Sequence, residues 1–126
     1  MTRFEELLSE YSNDLDIKEC DMRTEGLYGD SCIWIDKKQT QSRKVCILAE
    51  EIGHHKLTVG NILDQSDLSN AKQEHKARKW AYKKLIPFSS ILHALKNGHI
   101  APYEMADYIG VDERFLRECL VYYGFL

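Results

Sequence analysis

The chain has 126 residues, enough for one hydrophobic core and few for two domains. Its 44% hydrophobic and 29% charged content is that of a soluble globular protein, and a net charge of −3 leaves no electrostatic footprint for nucleic acid over the whole chain. No apolar run approaches the roughly 20 residues of a membrane span, and the N-terminus lacks a signal-peptide pattern. The four cysteines, Cys20, Cys32, Cys46 and Cys119, are scattered without a C-x-x-C pair. They suit a reducing cytoplasm rather than a disulfide framework or a zinc knuckle, with Cys46 a small core residue.

Residues 3 to 12 read as a short helix. Phe4, Leu7, Leu8 and Tyr11 recur at helical spacing, and Thr2 with Glu5 makes a capping box. Leu15 to Ile17 predicts a short strand, and Gly26 and the Gly29-Asp30 turn break the chain after it. Cys32-Ile33-Trp34-Ile35-Asp36 is β-rich and predicts a second strand. These pieces suggest a small twisted sheet of two or three strands. A central helix then starts at Thr40 or Ser42 and runs to about Leu57.

The chain is organised around Leu48-Ala49-Glu50-Glu51-Ile52-Gly53-His54-His55 in that helix. At about 100° per residue, Val45, Leu48, Ala49 and Ile52 fall on one side as a core stripe. Glu50 and His54 stack four residues apart on the opposite side, and Glu51 sits at the edge of that second face. An apolar stripe backed by aligned metal donors is the form of the zinc-peptidase helix H-E-x-x-H, whose glutamate activates the attacking water. Here Glu50 stands where the first histidine belongs. A carboxylate can bind zinc, so a mixed oxygen and nitrogen site is chemically sound, though harder and less zinc-selective. The alternative is a solvated acidic face with incidental histidines.

Residues 58 to 67 are rich in Gly, Asn, Asp and Ser and read as a loop. A second long helix is expected from Leu68 to Ile86, stopped by Pro87. Glu74, Ala77, Ala81 and Leu85 share one of its faces. The two alanines allow close approach of the central helix, which would bring Glu74 to Glu50 and His54 as a third ligand. An exposed helix-start acid is the alternative for Glu74. His75 points elsewhere and is expected at the surface. Three short helices close the chain, at Phe88 to Lys96, Pro102 to Ile109 and Asp112 to Tyr123. Ala106-x-x-x-Gly110, with Ile109, Val111 and Leu116, has helix-turn-helix spacing. The mixed charge of Asp112, Glu113, Arg114, Arg117 and Glu118 is poor for phosphate contacts, so a hairpin packed on the core is the favoured reading.

Cys46 to His55, Thr58-Val59-Gly60, and Lys72-Gln73-Glu74 with Ala77, Trp80-Ala81, Leu85 and Pro87 together resemble the ImmA/IrrE family of metallopeptidases, in particular its short phage and mobile-element members. The order and spacing match over roughly residues 25 to 90, and two separated blocks in the right order are more specific than either alone. The resemblance implies an α+β, zincin-like, mostly helical domain with a small β-sheet and a C-terminal helical hairpin. It would be a single domain over 1–126, with about 88–126 as a helix-turn-helix-like extension. It also implies a divalent metal, Zn²⁺ foremost, and cleavage of a helix-turn-helix repressor that silences a mobile element or a stress regulon. Many members keep H-E-x-x-H, and Glu50 departs from it. Two functions therefore stay open. In one, Glu50, His54 and Glu74 hold the metal and Glu51 is the general base, with Tyr82 as an extra donor to the oxyanion. In the other, the site is degenerate and the protein binds a repressor or other regulatory protein without cutting it. Nucleic acid and membrane are not expected partners.

Overall fold

The computed structural model describes residues 1–58 and 70–126. The order of elements is α1 (Arg3–Tyr11), β1 (Asp16–Cys20), β2 (Gly26–Gly29), β3 (Cys32–Asp36), α2 (Gln41–Thr58), α3 (Asn70–Leu85), α4 (Phe88–Lys96), α5 (Pro102–Ile109) and α6 (Glu113–Tyr123). The molecule is the expected mostly helical α+β, zincin-like fold with a small three-stranded sheet. The loop expected over 58 to 67 falls, apart from Thr58, outside the described residues, and so does the start of the second long helix at Leu68.

Local chemistry sets most of the boundaries. Thr2 and Glu5 form the anticipated capping box on α1. Pro102 opens α5, and Gly110 closes it in the left-handed conformation at φ 90°. Asp112 is the N-cap of α6 rather than its first residue, and its side chain accepts from the Phe115 N–H.

The strands run in the order β1-β3-β2. β1 is parallel to β3, with Asp16 opposite Cys32, and begins one residue later than the sequence suggests. β2 is antiparallel to β3 and forms the sheet edge. Only two residues, Asp30 and Ser31, join β2 to β3, and both have positive φ (55° and 60°), the pattern of a type I′ hairpin turn. The segment Gly26–Gly29, read from sequence as a break, is therefore a strand. Two glycines flanking a dipeptide give little β signal on their own.

α2 is the centre of the core. Val45, Leu48, Ala49 and Ile52 are all at most 1% exposed, as the stripe predicts. Burial also extends beyond that stripe, to Cys46, Ile47, Gly53 and His55, because α2 packs against the sheet on one side and along α3 on another. On α3, Ala77, Ala81 and Leu85 are buried against α2 while His75 is exposed. One buried cluster continues from Phe4 through α2 to Phe115, Leu116 and Leu120 of α6. Arg3 ties distant ends together by donating to the carbonyls of Leu85 and Ile109, both at 2.7 Å. All four cysteines are free thiols. Cys46 is buried, and burial pushes its thiol up to about 12.

The tightest contact in this arrangement is at Gly53. A Cβ there would lie 2.6 Å from the Ala77 carbonyl oxygen and 3.0 Å from its Cα. Both atoms are backbone, so the helices themselves must separate to relieve the clash. Gly53→Ala should therefore destabilise the protein by about 1–3 kcal/mol despite the better helix propensity of alanine. Urea denaturation should show the loss, and an unchanged midpoint would refute the close crossing.

Candidate active site

The Gly53–Ala77 crossing places the next residue on α2 beside a residue one turn earlier on α3. His54 Nε2 lies 3.2 Å from Glu74 Oε1. His54 is largely buried and Glu74 about half exposed. Glu74 is thus both an exposed acid near a helix start and a partner of His54. The pair lines a cleft of about 370 Å³. α2 contributes Glu51, His54, Leu57 and Thr58, α3 contributes Gln73 and Glu74, and the edge strand contributes Gly26, Leu27 and Tyr28.

Glu51 is the most perturbed group in this cleft. Its Oε2 is buried and has no hydrogen-bond partner among the described residues. Burial, followed by the nearby charges of Glu74 and Glu50, pushes its carboxyl up to about 7. A buried acceptor left unmade costs desolvation free energy, so an orphan of this kind marks a site kept for something other than stability. β2 is held close to it: a Cβ on Gly26 would lie 2.5 Å from Ile47 Cγ2 and 3.4 Å from Glu51 Cγ.

Glu50 is not among the cleft-lining residues. Burial raises its carboxyl above the usual range, and Arg43 and Arg78 oppose that rise. It makes no hydrogen bond or ion pair with a described residue, because Arg43 is already committed. The Arg43 guanidinium donates to Glu25 at 2.6 and 3.1 Å and to Asp112 at 3.3 Å. The four acids and bases expected at the site are therefore split. Glu51, His54 and Glu74 share the cleft, and Glu50 lies on the flank facing the arginines. Among the described residues no three His, Cys, Asp or Glu side chains converge closely enough to hold a metal ion.

Tyr82, suggested by sequence as an oxyanion donor, is not placed in the cleft. Its hydroxyl donates to Glu118 of α6 at 3.2 Å, and its ring packs edge-on to Phe115. α3 turns that residue toward the C-terminal helices. Sequence reasoning missed Tyr28, whose hydroxyl lies 2.9 Å from Nδ1 of the buried His55. The Gly-Leu-Tyr-Gly stretch carried no signal beyond its glycines.

The raised carboxyl has a consequence for metal-free protein. The folded state holds a proton on Glu51 between about 4.5, the ordinary value, and about 7, while the unfolded chain has lost it. The folded state binds more protons in that window, so stability falls as pH rises through it. Glu50 acts in the same direction. Glu51→Gln should flatten the slope, measured as urea midpoints across the window. A variant with the wild-type slope would show that Glu51 does not carry the proton.

The family model described as IrrE N-terminal-like domain, Peptidase_M78, matches residues 9–120. No curated protein and no solved structure matches the chain. The matched span includes α2, α3 and all of the cleft described above. The chain belongs to the IrrE N-terminal-like, M78 family of peptidases.

Proposed function

We propose that this protein is a metal-dependent endopeptidase of a phage or mobile element that cuts a helix-turn-helix repressor. The observation that carries the reading is the buried Glu51 oxygen, without a partner among the described residues, in a cleft beside the His54–Glu74 pair. The donor chemistry fits a divalent cation. Glu51, His54 and Glu74 share the cleft with Glu50 on its flank, burial and neighbouring acids raise the carboxyls of Glu50 and Glu51, and one buried Glu51 oxygen lacks a partner among the described residues. His54 and Glu74 would hold the ion, with Glu50, one turn before His54 on α2, as the third donor in place of a histidine. Zinc bound there would supply Lewis-acid polarisation of the scissile carbonyl.

Glu51 is the general base. With a proton affinity near neutrality it can take a proton from the attacking water and return it to the leaving amine. The open edge of β2 forms one wall of the cleft, and the half-exposed Glu74 forms part of its rim. Four free thiols suit a reducing, cytoplasmic setting, and among the described residues no helix is long and apolar enough to cross a membrane. On α6, Arg117 pairs with Glu113 at 2.7 Å, and Arg114 lies near Glu25 and Glu118, so these arginines are neutralised rather than offered to phosphates.

A second reading, a degenerate peptidase that binds its repressor without cutting it, draws on the position of Glu50 away from the cleft and on the lack of a three-donor cluster among the described residues. Metal binding separates the two. Zinc or manganese at a hundred times the dissociation constant should stabilise the fold by about 2.7 kcal/mol. The rise in Tm should shrink for Glu50→Ala, and Glu50→His should restore zinc preference. A melting curve indifferent to metal favours the binding module. For the enzyme reading, Glu51→Gln should keep fold and metal while cleavage of the co-expressed repressor drops by about 10²- to 10⁴-fold. Mass spectrometry of the products reads the outcome, and retained turnover removes Glu51 from the role.

A further inference from the structure

We propose that Tyr28 is the hydrogen-bond donor to the substrate's carbonyl oxygen in this cleft, and that His55 orients it. The assignment rests on the peptidase reading of the site and names a residue that reading does not use. Tyr28 sits on the edge strand β2 and lines the same cleft as Glu51 of α2 and Glu74 of α3. Its hydroxyl is 2.9 Å from His55 Nδ1, and the two rings meet edge-on with centroids 5.5 Å apart. His55 is 8% exposed and held in α2, the helix that also carries Glu51 and His54. The phenol is therefore positioned by the element that carries the proposed base, not by a mobile surface contact.

The direction of the Tyr28–His55 bond decides what the phenol can do. If His55 Nδ1 accepts, the phenolic proton is consumed within the protein. If Nδ1–H donates to the phenolic oxygen, the O–H is left to point into the cleft. The cleft favours the second arrangement. Glu51 and Glu74 line it, and each offers acceptor oxygens, in either protonation state, toward which a hydroxyl proton in the cleft can turn. The phenol oxygen then presents its lone pair to the ring nitrogen behind it. Among the described residues the other side-chain hydroxyl lining the cleft, that of Thr58, already donates to the His54 carbonyl at 2.9 Å. A phenol aimed into the cleft it shares with the proposed base Glu51 can stabilise negative charge developing on a carbonyl oxygen under attack. Tyr82, the oxyanion donor of the sequence reading, is replaced in this role by a residue that the strand, not the helix, delivers.

Two measurements test the assignment. The first is the tautomer of His55, read from its side-chain ¹⁵N shifts in the metal-free protein. The proton on Nδ1 is expected, and a proton on Nε2 with Nδ1 accepting would overturn the proposal. The second uses a peptide phosphonamidate, whose tetrahedral anionic oxygen copies a carbonyl under attack, binding to zinc-loaded protein by calorimetry. Tyr28→Phe keeps the ring packed on His55 and removes only the hydroxyl. It should weaken the phosphonamidate by about 10²-fold, within the range for losing one oxyanion donor. Zinc affinity should stay near wild type, while Tm falls modestly because the buried His55 Nδ1–H loses its acceptor. Equal phosphonamidate affinity in wild type and Tyr28→Phe would overturn the assignment and leave the peptidase reading standing. A wild type that binds zinc but not the phosphonamidate would sink both.

Discussion

The approach of α2 to α3 at Gly53 and Ala77 is the constraint on which the site depends. With the Gly53 Cα so close to the Ala77 backbone, there is room for hydrogen and nothing more. Residues flanking the contact are carried into register with it. His54 follows Gly53, Glu74 precedes Ala77 by one helical turn, and their side chains meet at 3.2 Å. Gly26 does the same on the other side, where its missing side chain lets β2 lie against Ile47 and Glu51. Two glycines thus close a cleft from three elements, and neither is needed there for an unusual φ. Packing density in the core makes the arrangement rigid, since Ala77, Ala81, Ala49 and Ile52 leave no side-chain volume free to move.

Charge is distributed around that cleft unevenly. One flank is a compensated network. Arg43 of α2 joins Glu25, just ahead of β2, to Asp112, the cap of α6, and Arg114 lies near Glu25 as well. These pairs link the sheet edge, the central helix and the last helix, and the Arg43 guanidinium holds the Glu25 carboxyl below its ordinary range. In the cleft itself the acids Glu51 and Glu74 meet one histidine, His54, among the described residues that line it. Glu51 is buried with an orphaned oxygen, and its acidic neighbours raise its proton affinity further. Glu50 sits between the two regimes, desolvated like Glu51 yet under the influence of Arg43 and Arg78. The perturbed carboxyl thus lies where a cation and a general base are proposed to act.

The C-terminal helices contribute to this through packing. α6 buries Phe115, Leu116, Cys119 and Leu120 in the common core, and Tyr82 of α3 closes on Phe115 and Glu118. Helix-turn-helix spacing at Ala106 and Gly110 follows from the same chemistry. Gly110 caps α5 in the left-handed conformation, Val111 is buried, and Asp112 opens the next helix two residues on. The spacing is that of two helices meeting at a short corner, and here the second helix spends its arginines on intramolecular glutamates.

The sequence by itself determined what local chemistry controls. Capping residues and Pro102 placed α1, α5 and α6 almost to the residue, and Cys32–Asp36 declared itself as a strand by its β-branched and aromatic content. The i, i+4 spacing of Glu50 and His54 and the small residues at Ala77 and Ala81 were legible for the same reason, since helical periodicity is a property of neighbours in the chain. Tertiary structure alone decided the rest. Stacking four apart could not say that Glu50 would lie off the cleft, under the influence of Arg43 and Arg78, while His54 met Glu74 within it. A helical wheel could not show that Tyr82 turns to α6. Nor could two residues between glycines reveal that β2 pairs with β3 and delivers Tyr28 to His55. Each of these depends on a partner distant in the chain, and a side chain's neighbours across a packed interface are set by the backbone approach of whole elements, which no local spacing encodes.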